Sequence, residues 1–164
     1  MRGEMLALLP QLRGFARFLT GQAAAADDLV QETVLRALDA IGQFTPGTSM
    51  KAWLYTIARN LFYEQARHRR RERDVMSDYA LRPDRPESGT PEGEADALRD
   101  LNGAIWRLSP RLREALVLVG VQEMTYAEAA AVCGVTVGTI KARVSRARAQ
   151  IMEYMGDGGP GRGA

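Results

Sequence analysis

The stretch TYAEAAAVCGVTVGTIKARVSRARAQI, residues 125–151, decides the fold. Thr125 and Glu128 have the spacing of a capping box, in which each side chain bonds the other residue's backbone amide at a helix start. The alanines that follow predict a short helix ending at Gly134, because glycine accepts the backbone conformation found after a helix C-terminus. Thr136 predicts the start of a second helix. Two helices joined by such a turn are typical of a helix-turn-helix.

The second of these helices, predicted over 137–154, separates apolar from basic side chains. Its apolar stripe consists of Ile140, Val144, Ala147 and Ile151. Beside or opposite the stripe lie Thr139, Lys141, Arg143, Arg146 and Arg148. Residues 138–151 contain four basic groups and no acid, and a helix about 10–12 Å across fits the DNA major groove. The alternative interpretation is a solvated, arginine-rich surface helix.

The composition changes sharply upstream of this motif. Residues 74–100 carry 3 basic and 8 acidic side chains, whereas residues 1–73 carry 11 basic and 7 acidic ones. The segment 74–94 also contains repeated proline and glycine, which is typical of a flexible linker. We therefore predict the following organisation: a helical domain over 1–73, an acidic linker over 74–94, a helix-turn-helix domain over 95–155 and a disordered tail over 156–164.

Helical periodicity dominates both domains, so the predicted fold class is all-α, with two small helical domains. In the first domain we predict helices over 3–20 and 27–43, the latter capped by Asp27, and a third from Ser49 past Arg70. Thr45 to Thr48 form a turn between the last two. In the second domain we predict helices over 95–108 and from Pro110 to about Val121, then the short helix that opens at Thr125 and the last helix over 137–154. Apolar side chains at helical spacing on the second and third helices are Leu29, Val30, Val34, Leu38 and Ile41, and Trp53, Leu54, Ile57, Ala58 and Leu61.

The basic end of the third helix is a second candidate for nucleic-acid binding. Its cations surround one amide and two aromatic side chains: Arg59, Asn60, Phe62, Tyr63, Arg67, Arg69, Arg70, Arg71 and Arg73. Cations follow a phosphate backbone, rings stack on unpaired bases and an amide reads a base edge, so the set suits single-stranded nucleic acid. The alternative interpretation is that the charged side chains are simply solvated and that the aromatic side chains belong to the core. The acidic start of the second helix, Asp28 to Glu32, is a candidate protein-binding surface.

The overall composition excludes several classes of function. The chain has 164 residues, is 46% hydrophobic and 26% charged, and has a formal net charge of +2, which favours a folded protein over a disordered one. One cysteine, Cys133, and one histidine, His68, argue against a disulfide, a zinc site or a Ser-His-Asp triad. We predict no cofactor and no enzymatic activity, because no nucleotide-binding loop, nucleophile elbow or set of metal ligands is visible. We predict no membrane insertion and a cytoplasmic location, because no long apolar run or signal peptide is visible.

Five segments in this order resemble the extracytoplasmic-function (ECF) sigma factors, the small bacterial specificity subunits of RNA polymerase. The segments are DDLVQET at 27–33, KAWLYTIARN at 51–60, LSPRLRE at 108–114, YAEAA at 126–130 and GTIKARVSRAR at 138–148. The resemblance covers about residues 5–153. It implies core RNA polymerase and promoter DNA as partners, and usually an anti-sigma factor.

The resemblance also implies a role for individual positions. Asp28, Leu29, Gln31, Glu32 and Arg36 match the surface for the clamp helices of the largest polymerase subunit, and the flap is a further polymerase contact. Asn60 matches the position that captures a flipped base of the −10 element, with Arg59, Tyr63 and Arg67 as its neighbours. Lys141, Arg143 and Arg146 match positions that meet the −35 duplex, and Thr139 is expected to contact a phosphate.

Two positions depart from the family pattern. Ala142 cannot hydrogen-bond a base, so the −35 preference cannot be carried over from a relative. Glu64 brings a negative charge that disfavours close contact with a phosphate. The turn at 46–51 and the arginine run at 67–73 resemble the subgroup that serves the general stress response in some proteobacteria.

Two other binding functions compete with the sigma-factor interpretation. A transcription regulator with a helix-turn-helix output would bind DNA without polymerase, usually as a dimer. A sigma-like decoy would instead titrate an anti-sigma protein. Transcription in vitro with purified core polymerase separates the three, because only a sigma factor supports promoter-dependent transcripts.

Overall fold

The computed structural model describes residues 2–76 and 95–157. These residues form helices and connecting turns without a β-strand, which confirms the all-α prediction. The chain divides into two compact units. Nearly all of the predicted linker, 74–94, and tail, 156–164, lies outside the described residues. Within the described ranges, every helix is too short or too polar to cross a membrane.

The first unit is built from three helices that pack against one another. They are α1 (Arg2–Thr20), α2 (Ala23–Asp39) and α3 (Met50–Met76). The largest fully buried side chains of this unit are Leu12, Phe15, Leu29, Leu54 and Tyr55. Burying each large apolar side chain contributes about 1.5–3 kcal/mol, so this core stabilises the unit and holds α2 and α3 side by side.

An aromatic pair joins α1 to α3 inside this core. The rings of Phe15 and Tyr55 stack with centroids 4.7 Å apart and planes 6° from parallel. Burial raises the pKa of the Tyr55 hydroxyl above its ordinary value, because the charged phenolate would lose its hydration. Trp53, which we expected in the core, is only half-buried and packs against Phe44, with ring centroids 5.2 Å apart.

The start of α2 differs from the prediction. The helix begins at Ala23, so Asp27 lies inside it and is not the N-cap. Gly21 explains the earlier start, because its φ of +78° and the bond from its N–H to the Arg17 carbonyl (2.8 Å) end α1 and redirect the chain at once. The alanines that follow are strong helix formers. Asp27 instead forms an ion pair with Arg13, at 3.4 Å.

The second helix ends earlier than predicted, and a separate turn follows it in the connection to α3. The helix ends at Asp39, and Ile41–Gln43 form a separate 3-10 turn. The predicted turn at 45–48 is confirmed, because the Thr48 N–H donates to the Thr45 carbonyl at 3.3 Å. The next helix begins as predicted, where the Ser49 hydroxyl accepts a bond from the Ala52 N–H (3.1 Å).

Four α-helices lie between residues 95 and 157, and all of this range except residues 131–134 belongs to the second unit. They are α4 (Ala95–Arg107), α5 (Pro110–Leu116), α6 (Tyr126–Cys133) and α7 (Val137–Asp157). Helix α7 packs against α4 and α5. A core cluster of this unit comprises Leu108, Leu112 and Ala147, bordered by Leu116, Ile151 and Tyr154. One face of α7 is therefore committed to packing, and the opposite face remains available.

The helix that begins at Pro110 does not continue as a regular α-helix to Val121. Its α-helical part ends at Leu116, and Val117–Val121 form a π-helical turn, in which the Gln122 N–H donates to the Val117 carbonyl at 2.9 Å. Ser109 occupies the N-cap position of this helix, but its side chain makes no capping hydrogen bond. After the wider turn the chain reverses through Glu123, which has a φ of +57°.

The helix-turn-helix has the predicted local structure. The Thr125 N–H donates to the Glu128 carboxylate and the Glu128 N–H donates to the Thr125 hydroxyl, both at 3.1 Å, which confirms the capping box. Gly134 adopts a φ of +67° in the turn. The Thr136 hydroxyl then accepts a bond from the Thr139 N–H at 3.1 Å and caps α7. Cys133 is buried, as expected for a small core residue.

Candidate functional site

The exposed face of α7 presents the predicted −35 residues. Ile140, Val144 and Ala147 are fully buried, so the orientation of the helix in its unit is set by the predicted stripe. The basic side chains divide by exposure: Lys141, Arg146 and Arg148 are exposed, and Arg143 is half-buried. Between residues 138 and 151 the result is a cationic helix surface without an acid, which can approach a phosphate backbone or a base edge.

Two of the predicted −35 residues are held by neighbouring side chains. The hydroxyl groups of Thr139 and Thr136 lie 2.8 Å apart, so Thr139 belongs to the cap of α7 while remaining partly exposed. The Lys141 ammonium lies 5.7 Å from the centroid of the Tyr126 ring, at the start of α6. A cation over an aromatic face is attracted by the ring quadrupole, so this contact orients Lys141.

The predicted −10 residues lie together on α3. Asn60 is exposed, and the Arg59 guanidinium lies 4.6 Å from the centroid of the Tyr63 ring. The Phe62 and Tyr63 rings meet edge to face, with centroids 5.3 Å apart. These contacts hold the Tyr63 ring in place beside the exposed amide. An extended strand could therefore meet an amide, an aromatic group and a cation along one helix.

Beyond Asn60 the basic end of α3 borders an open groove of about 610 Å³. Its lining residues from α2 and α3 are Glu32, Arg36, Leu61, Glu64, Gln65, Arg67, His68, Arg69 and Arg71. Within it the Arg36 guanidinium lies 3.9 Å from the Glu64 carboxylate. The groove therefore contains residues predicted for polymerase binding, Glu32 and Arg36, as well as Arg67 from the predicted −10 set.

The predicted polymerase-binding residues of α2 do not all lie on one surface. Asp28, Gln31, Glu32 and Arg36 are exposed. Leu29 is only 1% exposed, so its side chain belongs to the core and supports the surface from behind. The helix rotates each residue by about 100°, so the Leu29 side chain points about 100° away from that of Asp28, toward the core.

Sequence reasoning missed two exposed leucines on the same helix. Leu35 is 58% exposed and Leu38 is 37% exposed, although we expected Leu38 on the buried face. Leu35 lies four residues after Gln31, and Leu38 lies seven residues after Gln31. The three side chains therefore share one face of the helix. That spacing is the signal that could have identified them, because apolar side chains exposed beside polar ones are typical of interaction surfaces.

Comparison with protein families assigns both units. Residues 5–72 match the model of Sigma-70 region 2, and residues 98–151 match that of Sigma-70 region 4. These ranges contain all the predicted site residues.

Curated relatives give the same assignment. The ECF RNA polymerase sigma factor EcfG of Rhodopseudomonas palustris (strain TIE-1) is 47% identical over 152 residues, which cover 92% of this chain and 82% of that protein. The ECF RNA polymerase sigma factor SigC of Mycobacterium tuberculosis (strain CDC 1551 / Oshkosh) is 38% identical over 138 residues, covering 82% and 71%. The chain belongs to the ECF RNA polymerase sigma factors, the initiation subunits that direct core polymerase to promoters.

Solved structures share this fold. The sigma factor RpoE, in its complex with the anti-sigma factor NepR from Bartonella quintana, has a TM-score of 0.77 and 39% identity, over 96% of this chain and 98% of that chain. CnrH, solved with the cytosolic domain of CnrY, has a TM-score of 0.68 over 97% and 92%, and its identity of 23% indicates the fold alone.

Proposed function

We propose that the two units divide promoter recognition between them. The α3 surface of the first unit captures the melted −10 strand, and the exposed face of α7 reads the −35 element as intact duplex. The observation that carries this proposal is the exposed Asn60 beside the stacked Arg59–Tyr63 pair, with Arg67 further along the same helix. Neither unit alone buries enough surface for tight specific binding, so joining them raises the effective concentration of the second contact.

At −10, each residue has a distinct part in holding the strand. The Asn60 amide offers both a donor and an acceptor to the edge of a flipped base. Tyr63 offers an aromatic group for stacking contacts, and Arg59 holds its ring. Arg67 supplies a cation to the backbone. Exposure of Asn60 and Arg67 supports these roles, because both side chains are accessible before DNA arrives.

At −35, the exposed Lys141 and Arg146 are the proposed direct contacts, and the half-buried Arg143 reaches DNA from the side of the helix. Arginine pairs bidentately with guanine O6 and N7, whereas lysine acts as a point charge. Thr139 contacts a phosphate near the N-terminus of α7, where the helix dipole favours an anion.

We propose that the exposed face of α2 binds polymerase. Asp28, Gln31 and Glu32 form its polar part, and the exposed Leu35 and Leu38 add an apolar part. Leu29 supports this face from the core. We propose the clamp helices of the largest subunit as its partner and the polymerase flap as the partner of the second unit, on the basis of the family resemblance.

An anti-sigma factor is the proposed regulator, and a stress response the proposed context. The support is a relative of 39% identity, RpoE of Bartonella quintana, which was solved with the anti-sigma factor NepR and matches over 98% of its length. The 47% identity to EcfG is consistent with the general stress subgroup that the turn at 46–51 resembles. We further propose that the chain performs no covalent chemistry and acts in the cytoplasm, where the chromosome is transcribed.

Transcription in vitro tests the proposal as a whole. Templates are taken from start sites mapped in cells that overproduce the chain, and are transcribed by core polymerase with and without it. We expect selective transcripts only when the chain is added. A regulator would instead bind the template without polymerase, and a decoy would bind an anti-sigma protein without supporting transcripts. Failure to bind core polymerase, or binding without selective initiation, would contradict the proposal.

A further inference from the structure

One acidic side chain interrupts the proposed strand-binding face of α3. Asn60, Glu64, Arg67 and Arg71 are spaced by four, three and four residues, so they follow one stripe of the helix. Glu64 is the only acid between residues 59 and 71. Its position one turn after Asn60 places its charge beside the path of a strand whose base is held there.

The structure gives this carboxylate a specific partner from another helix. The Arg36 guanidinium of α2 lies 3.9 Å from Glu64, and the two side chains are 56% and 58% exposed. Both line the open groove that Arg67 also borders. An ion pair this exposed adds little to stability, so its effect is expected in the local potential that the strand meets.

We infer that Glu64 determines how strictly the −10 sequence is selected, and that Arg36 is a positioning residue that limits how much of its charge reaches the strand. This inference rests on the proposed −10 function of α3. Repulsion between Glu64 and the backbone weakens every strand equally. A cognate strand tolerates the penalty because Asn60 captures its base, whereas a mismatched strand has no compensating contact and falls below the threshold for opening.

The expected size of the effect follows from the exposure of Glu64, because water screens its repulsion from a phosphate. Two charges about 4 Å apart in water change an equilibrium constant by about fivefold, and salt lowers this to about threefold. Glu64→Gln should therefore raise opening on a template with a transverted −10 element by about three- to fivefold. Opening on the parent template at saturating holoenzyme should change much less, because that complex already forms almost completely.

Permanganate footprinting of holoenzyme on the two templates measures this difference. The templates are the strongest promoter found by start-site mapping and the same promoter with its −10 bases transverted. Glu4→Gln is the matched control, because it removes one exposed carboxylate from α1, away from α3 in sequence, and should leave both templates unchanged. Core-polymerase affinity is measured for each variant, which separates opening from docking.

The role of Arg36 is tested through Glu64. At subsaturating holoenzyme, where opening of the parent template is incomplete, Arg36→Gln should reduce that opening when Glu64 is present, and should reduce it much less in the Glu64→Gln background. Equal effects in the two backgrounds would show that Arg36 acts independently of Glu64 and would overturn its positioning role. A purely structural ion pair would change thermal unfolding and leave template discrimination unaltered.

An Asn60→Ala arm distinguishes failure of the inference from failure of the proposed function. If Asn60→Ala opens both templates as the parent does, the −10 assignment of α3 is wrong. If Asn60→Ala impairs opening while Glu64→Gln leaves the mismatched template unopened, the −10 assignment stands and the role of Glu64 is overturned. Increased opening by Glu64→Gln on the mismatched template alone supports the inference.

Discussion

The exposed surfaces of α3 and α7 are both basic, but they differ in the other side chains that accompany the basic groups. Between residues 138 and 151, α7 carries four basic groups and no acid, and three residues of its apolar stripe, Ile140, Val144 and Ala147, are fully buried. Between residues 59 and 71, α3 combines basic groups with an amide, two aromatic rings and the carboxylate of Glu64. A uniform cationic helix suits the regular backbone of a duplex, whereas a mixed surface suits an unpaired strand that presents its bases as well as its phosphates.

The basic side chains of the two units also differ in the neighbouring groups that they contact. Arg59 lies against the Tyr63 ring and Arg36 lies near the Glu64 carboxylate, so two arginines of the first unit are engaged with its own side chains. In the second unit Lys141 lies 5.7 Å from the Tyr126 ring centroid, while Arg146 and Arg148 are exposed. The difference supports our proposal that the surface of the first unit selects among unpaired strands, whereas the surface of the second unit contacts duplex DNA.

The largest expected effect is on −10 opening. Asn60→Ala should lower opening about 30- to 150-fold, because the captured base would lose hydrogen-bonding partners worth about 2–3 kcal/mol. Polymerase binding should stay unchanged, since the substitution lies on α3 and the proposed docking face on α2. Permanganate reactivity of the −10 bases measures opening, with Gln43→Ala as a control that removes an exposed amide outside both surfaces. Equal opening by Asn60→Ala and the parent chain would refute the assignment.

A smaller effect is expected at −35. Arg146→Ala should weaken binding to the −35 duplex by about 1–3 kcal/mol and relax the preference at one base pair, if the guanidinium reads a base edge. Holoenzyme binding to templates substituted at single −35 positions measures this, and Arg111→Ala is the control for loss of an exposed arginine from the same unit. If the base preference at −35 is unchanged in Arg146→Ala, Arg146 does not read a base and contacts only a phosphate.

The smallest effect concerns backbone strain, which the two units relieve differently. At its turn the first unit has Gly47, with a φ of +90°, whereas the second has Glu123 with a φ of +57°. Glu123→Gly should stabilise the chain by about 0.5–1 kcal/mol, because a side chain is disfavoured in the left-handed region. Gly47→Ala should instead destabilise the chain, because it places a side chain in the left-handed region. Thermal unfolding followed by circular dichroism compares them, and a loss of stability in Glu123→Gly would show that its side chain contributes more than the strain costs.

Local signals predicted the second unit best. The capping box at Thr125 and Glu128, the turn at Gly134 and the stripe through Ile140 and Val144 were all confirmed, because each depends on residues within one or two helical turns. The π-helical turn before Glu123 was not predictable in the same way. It adds one residue per turn without a distinctive residue type, so nothing in a helix-period pattern marks it.

The first unit shows where such reasoning fails. Asp27 is a good N-cap by residue type, yet the left-handed Gly21 lets α2 begin four residues earlier. Tyr55 is fully buried and Trp53 is not, since two positions on a helix place their side chains about 200° apart, whereas we had placed Trp53 on the apolar stripe and had not included Tyr55. Helical spacing gives the angle between such residues, but the neighbouring helices decide which of several apolar angles is covered.

The sequence by itself determined the all-α class, the order of the helices, the helix-turn-helix and membership in the ECF sigma factors, because these depend on local patterns and on motifs in order. Only the tertiary structure decided that Leu29 is buried, that Leu35 and Leu38 are exposed and that Arg36 of α2 lies beside Glu64 of α3. The physical reason is that exposure and contacts between helices arise from how separate elements pack, and packing unites residues that no spacing along the chain relates.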